Sequence, residues 1–243
     1  MIAIYKKEIN LFFSSIIGYL TMLVFFIVLG LNLFIFQGNI FESGYATIES
    51  FFTLAPWILI FLIPAITMRS FADEKQAGTL EFLMTKPITD TQIILGKYFA
   101  ALSLWLFIFI LTFTYFFCIK LLSLENAPLD TGATLGSYIG LFFLGCVFIA
   151  IGIFSSSISK SQIVAFLVGV FFCYLMYDAF FQLSSLPIFS GKFDYYIQSF
   201  GLGAHYESIS RGVVDSRDII YFISIIALFL ILCRTFLEAR KWN

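Results

Sequence analysis

Charge is what this sequence has least of. Only 12% of its 243 residues are charged while 60% are hydrophobic, and the mean hydropathy of +0.98 lies far above that of a soluble domain. So little charge cannot cover a water-soluble globule, which leaves an integral membrane protein. Histidine is nearly absent, and His205 alone cannot build a metal site. The four cysteines, Cys118, Cys146, Cys173 and Cys233, lie far apart inside apolar runs. That excludes the close spacings of metal and redox motifs and leaves packing residues. Basic and acidic residues nearly cancel, to a net charge of -1, so no field draws the chain to nucleic acid.

A phosphate-binding loop is missing as well. Gly96-Lys97 runs into Tyr98 and Gly191-Lys192 into Phe193, without the earlier glycine or the following Ser or Thr that cradling a phosphate requires. The chain is expected to hydrolyse no ATP by that route and to carry no cofactor, metal or catalytic set. A membrane-embedded enzyme would need His, Asp or Ser clustered at the interface.

What the chain does have is long uncharged runs. A helix needs about 20 apolar residues to cross a bilayer, and six stretches qualify, at about 16–36, 50–68, 99–119, 135–157, 163–183 and 219–237. The expected fold is an all-α polytopic membrane protein forming one transmembrane domain over residues 1–243. The first run is longer than a signal-peptide core and no small-residue cleavage site follows it, so it is expected to stay attached. Ahead of it, Ile2, Tyr5, Ile9, Phe12 and Phe13 recur at helical spacing, which suits a helix lying in the membrane interface. A plain extension of the first span is the alternative.

Lys and Arg set the orientation. With the N-terminus inside, ten of them are cytoplasmic and four are not, out of the 14 in the chain. Both termini are then cytoplasmic, and residues 184–218 form the largest extracytoplasmic segment, rich in Tyr, Phe and Gly.

Much of the charge falls in one stretch, RSFADEKQAGTLEFLMTKPITDTQIILGK, residues 69–97. Ser70 with Asp73 fits a capping box, Arg69 and Asp73 stand four apart and can pair, Gly78 breaks the helix, and Thr79 can cap a second one. Pro87 ends that helix, and Thr89 with Gln92 starts the next. The pattern predicts two short amphipathic helices on the cytoplasmic surface. They are either a docking surface or an ordinary solvated loop.

This stretch resembles the loop between the second and third spans in permease subunits of type-2 ABC exporters, and the six spans, interfacial N-terminal helix and polar segment before span six resemble the same family. The resemblance implies a bacterial inner-membrane protein with short helices dipping into the outer leaflet between spans five and six, for which residues 184–218 have the aromatic and glycine content. It also implies a separate cytoplasmic ABC ATPase dimer that binds ATP and Mg, and a second permease chain as homodimer or heterodimer partner. Glu74, Gly78, Thr79, Leu80, Glu81 and Pro87 would then form the coupling segment. Leu80, Leu83 and Met84 would supply apolar contact, Glu74 and Glu81 charge selection, and Gly78 close backbone approach. Residues 200–222, FGLGAHYESISRGVVDSRDIIYF, resemble a narrower branch, permeases associated with gliding motility in Bacteroidetes, which implies a periplasmic motility component as a further partner.

Other features leave alternatives open. Asp178, inside the fifth run, is either a helix-end anchor or a polar point on a substrate path. Gly132, Gly136 and Gly140 form a small-residue stripe for packing within the chain or for a dimer contact. His205 is expected to be structural. A secondary transporter and a structural platform for a motility or secretion complex are the rival functions; Pro56 and Pro64 are the main helix-breaking feature a secondary transporter could use.

Overall fold

The long apolar runs become helices in the computed structural model, which describes all residues except 37–38, 44–46, 81–87, 124–129, 188–190, 192 and 240–243. No strand occurs among the described residues. The elements are α1 (Ile2–Phe13), α2 (Ile16–Phe34), α3 (Ile40–Ser43), α4 (Glu49–Thr67), α5 (Arg69–Gln76), α6 (Asp90–Leu122), α7 (Thr131–Ile158) and α8 (Gln162–Tyr174). A π turn, Leu175–Ala179, follows, then α9 (Phe180–Ser184), α10 (Asp194–Gln198), α11 (Leu202–Ser210) and α12 (Ser216–Ala239). Among the described residues five helices are long and apolar enough to cross a membrane, and six if the bent pair α1 and α2 counts as one span.

The centre of the bundle is α7, the span with the largest buried share. Leu141, Leu144, Val147, Phe148 and Ile151 are fully buried along it, against α4, α8, α11 and α12. Helix α6 has 33 residues, so at 1.5 Å per residue it is roughly 50 Å long, well beyond the ~30 Å hydrocarbon layer. Its first turns therefore stand outside the apolar slab. Thr89 starts it with the expected capping box, the Thr89 hydroxyl accepting from the Gln92 N–H while the Gln92 side chain accepts from the Thr89 N–H. The outer sides of α8 and α12 expose Ile163, Val164, Leu167, Ile220, Ile223 and Ile231, a surface suited to lipid or another chain.

Helix α1 bends 64° into α2 and lies along the first half of α6, where Tyr5 Oη pairs with Ser103 Oγ at 2.9 Å. Its protein-facing side carries Ile4 and Glu8, whereas Ile2 is exposed. Of the apolar stripe expected over Ile2, Tyr5, Ile9, Phe12 and Phe13, Ile2 and Phe13 are exposed while Tyr5, Ile9 and Phe12 are half-buried.

Two local expectations in the polar stretch are corrected. Helix α5 does not start at a Ser70 cap: Met68 has helical dihedrals, so the chain passes from α4 into α5 with one break and no side-chain cap of its own. Arg69 does not turn to Asp73. It donates to Gln162 Oε1 and Ser15 Oγ, both at 3.3 Å.

Candidate functional site

Helix α5 is where the polar side chains of the bundle converge. Lys97, on the early turns of α6, has a side chain only 1% exposed. Its Nζ donates to Glu8 Oε1 of α1 at 2.6 Å and to the Ser70 carbonyl of α5 at 2.5 Å. It also lies 3.1 Å from Glu74 Oε2 and 4.9 Å from the centre of the Phe71 ring. Glu74 Oε1 accepts from Lys7 at 2.7 Å. Glu74 Oε2 has no aligned hydrogen bond among the described residues, so its contact with Lys97 is purely an ion pair. Two ammonium groups thus balance two carboxylates, the condition under which buried charges are tolerated. Burial works to lower the Lys7 ammonium, but the hydrogen bond to Glu74 and the charges of Glu74 and Glu8 outweigh it and hold it above the ordinary value of 10.5. The stability that Lys7 contributes is full below that value and fades only as pH rises past it.

On its other side α5 is held by the end of α7. The Ser156 hydroxyl accepts from the Phe71 and Ala72 N–H groups at 2.9 and 3.1 Å and donates to the Met68 carbonyl at 2.8 Å. These are the free donors and the last carbonyl of a helix junction, satisfied by a residue from a distant helix. Lys75 donates to the Ser157 carbonyl, favourable at the negative end of α7, and lies over the Phe236 ring of α12. With Arg69 on Gln162, α5 is tied to α1, α6, α7 and α8.

The helix then stops. Gly78 has φ +68°, the left-handed conformation of a helix C-terminus, and a Cβ there would meet nothing within 4 Å. Gln76, Ala77, Gly78 and Thr79 are exposed, while the Thr79 hydroxyl donates to the Glu74 carbonyl at 3.4 Å. Leu80, expected to offer apolar surface to a partner, is 1% exposed within the chain's own core. Glu74, expected to select a partner by charge, is turned inward. Glu81, Leu83, Met84 and Pro87 lie outside the described residues.

The sequence reading missed Lys97, Glu8, Lys7 and Ser156. A signal for Lys97 existed: it sits on the buried stripe of Ile93, Ile94, Ala101 and Leu104, where a charge needs a partner. Glu8 likewise follows Ile4 on the buried side of α1.

Beside this network lies a cavity of about 260 Å³ lined by Lys7, Leu11, Ile66, Arg69, Asp73 and Glu74, among others. At the opposite end a larger one, about 1180 Å³, is lined by Trp57, Tyr177, Asp178 and Glu207 among others. Asp178 stands in the π turn, half-buried, and accepts from Gln182 Nε2 at 3.2 Å, so it is both anchored and on the cavity wall. Gly136 and Gly140 face α11 of the same chain. A Cβ on Gly136 would come within 2.4 Å of the Ile209 carbonyl oxygen, and one on Gly140 within 3.0 Å of the Tyr206 ring. Two of the three stripe glycines are thus covered internally and are not free for a dimer contact. His205 Nδ1 lies 2.6 Å from Asp218 Oδ1 and Nε2 2.9 Å from the Ser199 carbonyl oxygen, with the ring stacked on Tyr221 at 4.0 Å, a structural placement. Among the described residues no group of His, Cys, Asp and Glu is arranged to hold a metal.

Compared with curated proteins, the chain matches none. A family model, ABC-2 family transporter protein, matches residues 2–241, nearly the whole length, and the helical bundle agrees with it. The chain belongs to the ABC-2 family of transporter proteins, as a multi-pass membrane component of an ABC transporter.

Proposed function

We propose that this chain is the permease subunit of an ATP-driven exporter, and that α5 with the exposed turn after it is the lever through which a separate cytoplasmic ATPase acts. The observation that carries this is the fastening of α5 to four helices by buried polar contacts: Glu74 and Ser70 to α6 and α1, Phe71 and Ala72 to α7, Arg69 to α8. A push on the Gln76–Thr79 turn would move these helices as a unit, because packed cores shift between discrete arrangements and do not deform smoothly. The Glu74 role in coupling is then to fasten the lever and not to touch the ATPase. Glu81, Leu83, Met84 and Pro87, which follow in the sequence, supply the contact with the ATPase in this reading. ATP and Mg belong to the ATPase dimer, and a second permease chain completes the pathway in a bacterial inner membrane with both termini cytoplasmic.

Purification from native membranes tests this. A co-purifying ATPase with a phosphate-binding loop is expected, with its recovery cut by Gly78→Trp while the chain stays inserted. Equal recovery with Gly78→Trp would overturn the assignment of the turn. A second reading, service in gliding motility, is favoured by residues 200–222; loss of surface spreading on deletion of the gene, restored by the intact chain, is its test.

A further inference from the structure

The charges around the cavity beside α5 do not all cancel within the protein. Lys7 and Lys97 are matched by Glu8 and Glu74. That leaves one cation and one anion. Arg69 is bonded to neutral groups, Gln162 and Ser15, and Asp73 Oδ1 is buried with no hydrogen-bond partner among the described residues. Both line the cavity of about 260 Å³. They are four apart on one helix, which puts their Cβ atoms about 5–6 Å apart, close enough to pair, yet they do not. A buried carboxylate oxygen without a donor costs free energy unless something supplies one. The rest of the wall is split: Leu11, Phe12, Ala65 and Ile66 are apolar, while Lys7, Ser15, Ser70 and Thr79 are polar. That is the boundary a lipid meets between headgroup and acyl chain.

We infer that this cavity is a binding site for an amine-bearing zwitterionic phospholipid of the ethanolamine type. Its phosphate lies against the Arg69 guanidinium, its ammonium pairs with the Asp73 carboxylate, and the start of an acyl chain runs along Leu11 and Ile66. An anionic glycerol headgroup satisfies Arg69 but presents no cation to Asp73. A choline headgroup brings the charge but no N–H. The site does not depend on the ATPase reading, because every residue in it belongs to this chain and its occupant comes from the bilayer.

The test is lipid retention. The full chain, with whatever subunits accompany it, is reconstituted into vesicles of equal parts phosphatidylethanolamine, phosphatidylcholine and phosphatidylglycerol, extracted gently, and the retained lipid weighed by native mass spectrometry. The wild type is expected to enrich phosphatidylethanolamine over phosphatidylglycerol roughly tenfold, the worth of one charge-assisted hydrogen bond, with phosphatidylcholine between. Asp73→Asn should abolish that preference while phosphatidylglycerol is still retained, and Arg69→Gln should lower all three together. Equal retention of the three lipids by the wild type, or no retained lipid, overturns the inference without any variant. So does an Asp73→Asn chain that keeps the wild-type ratio, or a protein chain found crosslinked at residue 73 in place of lipid.

Discussion

Lys97 illustrates how one side chain can fix several helices. It is buried, and each of its contacts lies on another helix. Lys97→Met would strand two carboxylates against Lys7 alone, an imbalance that costs about 3–5 kcal/mol for a buried pair. A marked fall in the thermal unfolding midpoint of the purified chain is expected. Adding Glu8→Gln should recover part of it, because removing both partners costs less than removing one. Ser156 makes the same point for backbone groups. Ser156→Ala should cost about 1–2 kcal/mol, as loss of a helix cap does, and speed hydrogen exchange at Phe71 and Ala72. Ser70→Ala should leave exchange at those two amides nearly unchanged, because Ser70 does not cap them. The sequence suggested the opposite. Ser70 has the right spacing to Asp73, but the 85-residue separation of Phe71 from Ser156 hid the hydroxyl that takes the N–H groups, and nothing local distinguishes them.

At the scale of elements, the small-residue stripe and the break after α5 behave differently. Gly136 lies under the Ile209 carbonyl, so Gly136→Val should lift α11 off α7, read as faster labelling of a cysteine placed at Ile209. Gly132, whose added Cβ would meet only Asp130 Oδ1 at 3.5 Å, should tolerate Ala with little effect. If the two substitutions acted alike, internal packing would not be what the stripe serves. Gly78 was legible because a helix stop is local, and its positive φ is the ordinary signature of such a stop. Gly78→Ala is expected to cost about 1–2 kcal/mol through the left-handed backbone, with α5 fraying faster in hydrogen exchange. The capping box at Thr89 was equally readable, since all its atoms lie within four residues.

For the whole molecule, the distribution of Lys and Arg predicts that the α5 turn and the loop before α12 face opposite sides. Cysteines placed at Gln76 and at Val213, both exposed, should react with an impermeant maleimide from opposite faces of the native membrane. Reaction of both from one face would put the α5 turn and the loop before α12 on the same side and remove the basis for coupling.

The sequence by itself determined the all-helical class and the apolar runs long enough to span, because spanning length and helix breaks depend on neighbours within a turn or two. It also carried enough of the family pattern in residues 69–97 to place the chain among ABC permeases. Only the tertiary structure decided that Glu74 and Leu80 point inward, that Ser156 caps α5, and that Arg69 and Asp73 remain unspent beside a cavity. Those outcomes depend on which helices come to lie together. Arg69 stands 54 residues from Ser15 and 93 from Gln162 along the chain, and no local pattern of charge records the pairing.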